Sequence, residues 1–386
     1  MSATRKKYII GLTGNIGTGK SVVRRMLGHL GAYGIDADTL GHRAIAKGAP
    51  GYEPVIQTFG TWIVDSEGQI DRKRLAKIVF DNPLALNLLE GIIHPLVSRA
   101  VDLLIQRTPH PVVVIEAIKL LESGLAEKCD TIWVTYTPES RQVERLAEKR
   151  GMSQVEALSR IRVQTSQRDK ISKANLVIIN DATFEKIWKQ VYEAWKKIPA
   201  LGIEVSEEAP LVKVSPTARA ASVFEVRRGT PKHAEAIAKA LNVMKPQEKP
   251  VTRTDVIETF GEKAYMLLHN AHSEELLGMM TWQVENLITH VYDILLMPDV
   301  FTAEAVMRLL KQVEEESKVL QVEACMIFMP ESHGIPADVL EKLGYKPTTM
   351  NDLDNSSWLE AAREGMAGGG QLFLKVLRTQ RVLRPF

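Results

Sequence analysis

Eight residues, Gly14-Asn15-Ile16-Gly17-Thr18-Gly19-Lys20-Ser21, fit the spacing G-x-x-x-x-G-K-[ST] directly after the apolar run Tyr8-Ile9-Ile10-Gly11-Leu12. A strand, a glycine-rich turn and then a helix is the setting in which this pattern cradles phosphate. Glycine lets successive backbone N–H groups close on an anion, because no Cβ blocks the approach. A helix from Lys20 to Leu30 adds its positive end. The expected chemistry is binding of a nucleoside triphosphate by residues Gly14 through Val22, with Lys20 reaching the β- and γ-phosphates. Ser21 then offers its hydroxyl to Mg²⁺ that arrives with ATP.

Transfer of a phosphoryl group to a hydroxyl also needs something to orient that hydroxyl or take its proton. Ile35-Asp36-Ala37-Asp38 closes a second strand candidate, where the ligand crevice of an open α/β sheet lies. One carboxylate could face the acceptor while the other contacts Mg²⁺ or a loop; equally, both could cap the next helix. Spacing divides evenly between these. Glu116 ends a third apolar strand, and spacing favours a strand end in solvent over a metal-water ligand. Arg141, Arg145, Lys149 and Arg150 form a basic cluster on a helix, with Arg141 and Arg145 on one face. Such cations can close over a triphosphate. Interleaved with Glu139, Glu144 and Glu148, they also read as a solvated face, the commoner fate of such a run. His94 stands apart from any second ligand at metal-binding spacing, so no protein-bound zinc is expected.

These residues need a scaffold. At 386 residues, two domains are expected. The 45% hydrophobic and 25% charged content is that of a globular protein. A net charge of +2 gives no electrostatic case for nucleic acid. No run approaches the ~20 apolar residues of a membrane span, and the N-terminal apolar run is too short for a signal peptide. Two lone thiols, Cys129 and Cys325, beside an ATP-binding loop suggest a reducing cytoplasm.

Strand candidates at Tyr8–Leu12, Ala32–Asp36, Pro111–Glu116, Thr131–Tyr136 and Asn175–Ile179 are Val/Ile-rich, as strands buried on both faces should be. Helical stretches between them predict a parallel, doubly wound sheet. The helical material from Asp38 to Pro109 exceeds one crossover and predicts an inserted helical subdomain. Residues 1–198 form this domain. Pro, Ser, Ala and Glu dominate 199–222, which reads as a linker. From 223 to 386 strands outnumber helices, predicting a smaller α+β domain. Its strands are expected at Val223–Val226, Tyr265–Leu268, Leu276–Glu285, Thr289–Leu296, Gln321–Met329 and Leu372–Leu377. Its helices are expected at Pro231–Leu241, Ala303–Lys318 and Pro336–Leu343. Gly368-Gly369-Gly370 reads as a turn, since no Lys-Ser pair or helix follows it.

With those residues in view, positions 8 to about 198 resemble the dephospho-CoA kinase family. Ile10 through Ser21 resembles that family's phosphate loop, and Ile35-Asp36-Ala37-Asp38 its acidic signature. Gly68-Gln69-Ile70-Asp71-Arg72 with Leu75 and Val79-Phe80 resembles its helical insert. Ile93-His94-Pro95-Leu96, Leu120-Leu121-Glu122, Gln164 and Ala174 through Asn180 follow in the family's order. The resemblance implies a nucleoside-monophosphate-kinase-like fold with a P-loop, a helical acceptor-binding insert and a lid. It implies transfer of the γ-phosphate of ATP to the ribose 3′-hydroxyl of dephospho-CoA. Asp38 then orients or deprotonates the hydroxyl, and Thr13, Asp36, Asp38 and His94 bind the acceptor. Lys20, Arg145 and Arg150 supply the catalytic cations. Departures are Ile118-Lys119-Leu120 where the family has Pro-Leu-Leu, Asn175 where Asp is common, and a lid cation that aligns with Lys149 or Arg150. A P-loop kinase of another small acceptor is the alternative; a guanine-nucleotide switch lacks its Asn-Lys-x-Asp segment.

The second domain is similar to the Gcn5-related N-acetyltransferase fold around Ala337 through Pro347. Its expected acetyl-CoA loop, Met297 through Glu304, has no glycine for close pyrophosphate approach. A degenerate structural or interaction domain is therefore favoured over acetyl transfer. The sharper alternative is a module that binds CoA or acetyl-CoA and senses the kinase product.

Overall fold

The computed structural model describes residues 7–199 and 224–378, the latter with breaks at 274, 286, 298–299, 301–302, 330–334, 336, 354–355 and 367–369. The linker expected at 199–222 falls, but for its first residue, outside the described residues. So do Gly368-Gly369 and four positions of the Met297–Glu304 loop. The described residues fall into two compact units, one before and one after the 200–223 stretch.

In the first unit β1 (Tyr8–Thr13), α1 (Lys20–His29), β2 (Tyr33–Asp36) and α2 (Ala37–Ala44) follow one another. Then come α3 (Tyr52–Phe59), α4 (Arg72–Asp81), α5 (Pro83–Arg107), β3 (Val112–Glu116) and β4 (Thr131–Tyr136). α6 (Glu139–Arg150), α7 (Gln154–Arg162), α8 (Gln167–Ser172), β5 (Leu176–Ile179) and α9 (Phe184–Trp195) complete it. The five strands pair in the order β2-β3-β1-β4-β5, all parallel. β3 is buried along its length, which is why its Val/Ile run shows no alternation. Register places Leu12 and Asp36 opposite Glu116. The carboxyl ends of β1, β2 and β3 therefore stop level, and their first following residues converge.

The helical insert is real. α2 to α5 enclose a core of Ile45, Val55, Ile63, Ile70, Leu75, Val79, Ala85 and Leu89. Local signals set its boundaries. Asp71 accepts from Lys73 N and Arg74 N to cap α4, and Asn82 caps α5 ahead of Pro83 at its first turn.

In the second unit β6 (Phe224–Arg228), α10 (Ala234–Met244), α11 (Arg253–Thr259), β7 (Ala264–Asn270), β8 (Leu276–Glu285) and β9 (Ile288–Leu296) come first. α12 (Ala303–Val319), β10 (Ala324–Met329), α13 (Ala337–Lys342), β11 (Lys346–Thr348), α14 (Ser356–Gly365) and β12 (Gln371–Val376) follow. The sheet order is β11-β12-β10-β9-β8-β7-β6, antiparallel except for the β9–β10 pair. Residues of α12 and α13 join one core cluster and those of α14 another. The strand expected from Gln321 starts at Ala324, because Gln321 has a φ of 60°, outside the extended region. The short α11 and the longer α14 carry no expectation from the sequence.

β9 and β10 pair only from Ala324↔Ile288 to Ile327↔Val291. Beyond Val291, β9 stays with β8 as far as Leu296, while Phe328 and Met329 stay with β12. The parting has a local cause. The β8–β9 register shifts between Thr281 and Trp282, leaving Tyr292 as an extra residue. A bulge of this kind bends and twists its strand.

Candidate active site

The loop from Gly14 to Gly19 closes on itself before α1 begins. Asn15 O accepts from Thr18 N at 3.2 Å, from Thr18 Oγ1 at 2.7 Å and from Lys20 Nζ at 3.5 Å. Gly14 and Gly19 have φ values of 151° and 82°, which L side chains rarely adopt. A Cβ at Gly19 would also run into the Asn180 amide, and one at Gly14 into Thr135. Gly19 caps α1 with no side-chain hydrogen bond. The positive end of the helix therefore faces the loop without a competing side-chain acceptor. Val22, in the first turn, donates to Gly19 O at 3.1 Å.

Neighbouring elements hold the loop from outside. Thr18 Oγ1 and Thr135 Oγ1 share a hydrogen bond at 2.8 Å. Asn180 Nδ2 donates to Thr18 O at 2.8 Å, and Gln164 Oε1 accepts from Ile16 N at 2.9 Å. Ile16 packs with Leu146, Ala157 and Ile161, which binds the loop to α6 and α7. Of the four basic residues on α6, Arg145 reaches this assembly. It donates to Gly17 O at 3.3 Å, to Asn180 O at 2.9 Å and to Thr137 Oγ1 at 3.3 Å. Arg141 turns to Glu144 instead, and Lys149 and Arg150 are exposed at the helix end.

The acidic pair separates. Asp36 accepts from Thr39 N at 2.9 Å and caps α2, with Arg24 3.8 Å away. Asp38, in the first turn of α2, instead accepts from Ile118 N at 3.2 and 3.1 Å. Burial pushes its carboxyl up, opposed by Lys20, helped by Asp36, opposed by the Ile118 N–H and helped by Glu116; the balance lies at about 6.

Glu116 is not a strand end in solvent, as spacing favoured. It is 3% exposed and accepts from Ser21 Oγ at 2.8 Å and from Arg24 Nε at 2.6 Å. Burial alone would raise its carboxyl; Arg24 and then Lys20 outweigh that and hold it below the usual range. Parallel register explains the position, since Glu116 lies between β1 and β2, directly under α1.

The segment after β3 joins the insert to this centre. Ile118 O accepts from Thr13 Oγ1 at 3.1 Å and from Lys170 Nζ at 2.6 Å. Lys119, the charge that departs from the expected apolar residue, pairs with Glu90 on α5. His94, on the same helix and half-buried, is lowered by burial, raised by Glu90 and lowered by Lys119, with a net fall. Asn175, also a departure, accepts from Ile132 N at 2.7 Å and fastens β5 to β4. Among the described residues no group of three or more His, Cys, Asp or Glu is arranged around a metal.

The family model for dephospho-CoA kinase matches residues 8–186. A dephospho-CoA kinase of Geobacter metallireducens is 40% identical over 192 residues, which span 49% of this chain and 96% of that protein. The chain belongs to the dephospho-CoA kinase family. That family catalyses the final step of coenzyme A biosynthesis, so the chain is a phosphotransferase acting on dephospho-CoA with a nucleotide substrate. A solved dephospho-CoA kinase from Campylobacter jejuni is 25% identical with a TM-score of 0.39, covering 51% of this chain and 100% of that one. An N-acetyltransferase from Thermoplasma acidophilum, solved in complex with coenzyme A, is 11% identical with a TM-score of 0.31. It covers 40% of this chain and 99% of that one.

In this dephospho-CoA kinase family member, motif reading pointed to the loop, and the family resemblance pointed to Asp38 as a candidate. Neither pointed to the residues packed around them. Arg24, Thr135, Thr137 and Lys170 carry no motif of their own. Only spacing from the loop and from Asn180 could have pointed to them.

Proposed function

We propose that Asp38 takes the proton of the ribose 3′-hydroxyl of dephospho-CoA as that oxygen attacks the γ-phosphate of ATP, giving CoA and ADP. The observation that carries this reading is the setting of Asp38: a carboxylate beside Lys20, aimed by the Ile118 N–H, at the carboxyl edge of the sheet. A carboxyl near 6 is a stronger base than an ordinary aspartate yet ionised at neutral pH. Gly14 through Val22 cradle the triphosphate, with Lys20 on its outer phosphates. Thr13, Asp36 and His94 border the acceptor. Arg145 balances charge from the lid side, and Arg150 completes the cation set from the exposed end of α6.

The donor set near the loop suits Mg²⁺. The Ser21 hydroxyl and Glu116 carboxylate are hard oxygen donors 2.8 Å apart. Ser21 and the ATP phosphates would hold the ion, which when bound neutralises charge on the β- and γ-phosphates. Free thiols at Cys129 and Cys325 support a cytoplasmic setting, and among the described residues no helix is long and apolar enough to cross a membrane.

The test is ADP release by the full-length chain with Mg-ATP and, in turn, dephospho-CoA, AMP, shikimate or water, with products identified by mass. Lys20→Ala is the blank. Phosphate on dephospho-CoA alone is expected. Equal transfer to AMP or shikimate would overturn the acceptor assignment.

A second reading concerns residues 223–386, and the opening between β9 and β10 favours it. Unpaired strand edges offer N–H and C=O groups to an extended amide chain. The pantetheine arm of CoA is such a chain. We therefore assign the Tyr292–Leu296 edge to CoA or acetyl-CoA as a sensor of the kinase product, without acetyl transfer. Hydrogen–deuterium exchange of the full chain is expected to show protection of 292–296 on adding CoA. Unchanged exchange there at millimolar CoA would reject it.

A further inference from the structure

Lys170 is 1% exposed, yet it lies on a short helix outside every motif. A lysine is almost never fully buried unless paired. Its ammonium carries three donors. Among the described residues, one of them meets an acceptor, Ile118 O at 2.6 Å. Burial lowers Lys170; Glu122 raises it, Lys20 lowers it, Asp38 raises it and Lys119 lowers it, leaving it near 8. A neutral donor would satisfy Ile118 O at less desolvation cost. The charge therefore has a purpose other than closing one hydrogen bond.

Ile118 is the joint between two groups of the centre. Its carbonyl receives Lys170 and Thr13 Oγ1, while its N–H meets both oxygens of Asp38. These groups belong to the two peptide units on either side of the Ile118 Cα. Holding the carbonyl pins the 118–119 peptide unit, and through the shared Cα that limits how far the 117–118 unit carrying the N–H can turn away from the carboxylate. The flanking residues are anchored too: Ala117 N donates to Leu12 O at 3.1 Å, and Lys119 pairs with Glu90.

We propose that Lys170 is a positioning residue for Asp38, holding the Ile118 backbone so that its N–H orients the carboxylate. This rests on the reading of Asp38 as the base. The charged groups facing Asp38 are Lys20 from α1, Asp36 from β2, Glu116 from β3 and Lys170 from α8. Removing Lys170 takes away a cation and loosens a hydrogen bond to the ionised form. Both changes raise the pH at which Asp38 ionises.

The experiment compares the full-length chain with Lys170→Met, Lys170→Gln and Asp38→Asn across pH 5 to 9, following ADP release with dephospho-CoA. ATP binding and thermal melting verify folding. For Lys170→Met, kcat is expected to fall about 10²-fold at neutral pH with KM for ATP unchanged. Its acid limb should move up by about one pH unit. Lys170→Gln, which keeps a donor without charge and is the gentler change for folding, should recover part of kcat while its limb stays raised. A limb unmoved in a folded variant, or a loss confined to KM for ATP, would overturn the proposal. If Asp38→Asn keeps its turnover, the reading of Asp38 itself fails, whatever Lys170→Met does.

Discussion

The carboxyl edge of the first sheet, where three paired strands end level, and the opening in the second, where β9 and β10 part, are furnished in opposite ways. At the first, polar atoms converge: Lys20, Asp36, Asp38, Glu116 and the loop N–H groups around α1. At the second, rings gather beside the point where the strands part. Tyr292 and Phe328 lie 5.9 Å apart, His290 and Phe328 5.6 Å, and Lys263 sits 4.0 Å above Tyr292. Burial pushes the His290 ring down to about 4, keeping it neutral near pH 7. Burial, with Glu285 and Glu364, pushes the Tyr292 hydroxyl up to about 12. The first edge can stabilise developing charge; the second offers backbone and apolar surface. The end of a sheet or a break in its pairing is thus only an opportunity, and the side chains decide whether it becomes a reaction centre or a place to dock.

The comparison can be broken most forcefully at Lys20. Lys20→Ala is expected to lower kcat by about 10⁴-fold, because a phosphate-neutralising cation is lost. CoA-dependent protection of 292–296 should stay as it is. If that protection also vanished, the two sites would not be independent.

Asp38→Asn should cost about 10³-fold in kcat with ATP affinity retained, measured by turnover and calorimetry. The wild-type rate should fall as pH drops through about 6, since the base must be ionised. Stability runs the other way. A carboxyl raised when folded favours the protonated native state, so its contribution is lost as pH rises from about 4 through 6. Asp38→Asn should therefore melt higher than wild type at pH 7 by about 2 kcal/mol equivalent. A lower melting temperature would contradict the burial argument.

Arg145→Lys tests the lid side of the loop. An ammonium cannot repeat the fork that meets both Gly17 O and Asn180 O, so kcat should drop about 10-fold. Arg141→Ala sharpens the same point from one turn away. Arg141 is exposed and paired with Glu144, and steady-state kinetics should stay within about twofold of wild type. A larger loss from Arg141 than from Arg145 would reverse their assignment.

Much of the first unit was legible because its signals are local. Continuous Val/Ile runs marked buried strands, and the length of helical sequence from Asp38 to Pro109 marked the insert. The second unit was legible in its longer strands, but α11 and α14 were not anticipated. Helix α14 owes its place to Trp358, Ala361 and Ala362 packing with Ala324, Met326 and Phe328 of β10, a contact between distant segments. Glu116 was misjudged for a related reason. An acidic residue ending an apolar run reads as a solvent-facing terminus until register places Arg24 and Ser21 over it.

The sequence by itself determined the phosphate loop, since glycine spacing, Lys20 and Ser21 act within one turn of chain. It also determined the alternation of strand and helix that puts this loop at a carboxyl edge. Tertiary structure decided which of two aspartates two positions apart faces Lys20, which of four basic residues meets the loop, and that Lys170 is buried against Ile118. Those outcomes depend on strand order and helix docking across many intervening residues. Desolvation and Coulomb attraction, which set the character of each group, act only once those distant groups are brought together.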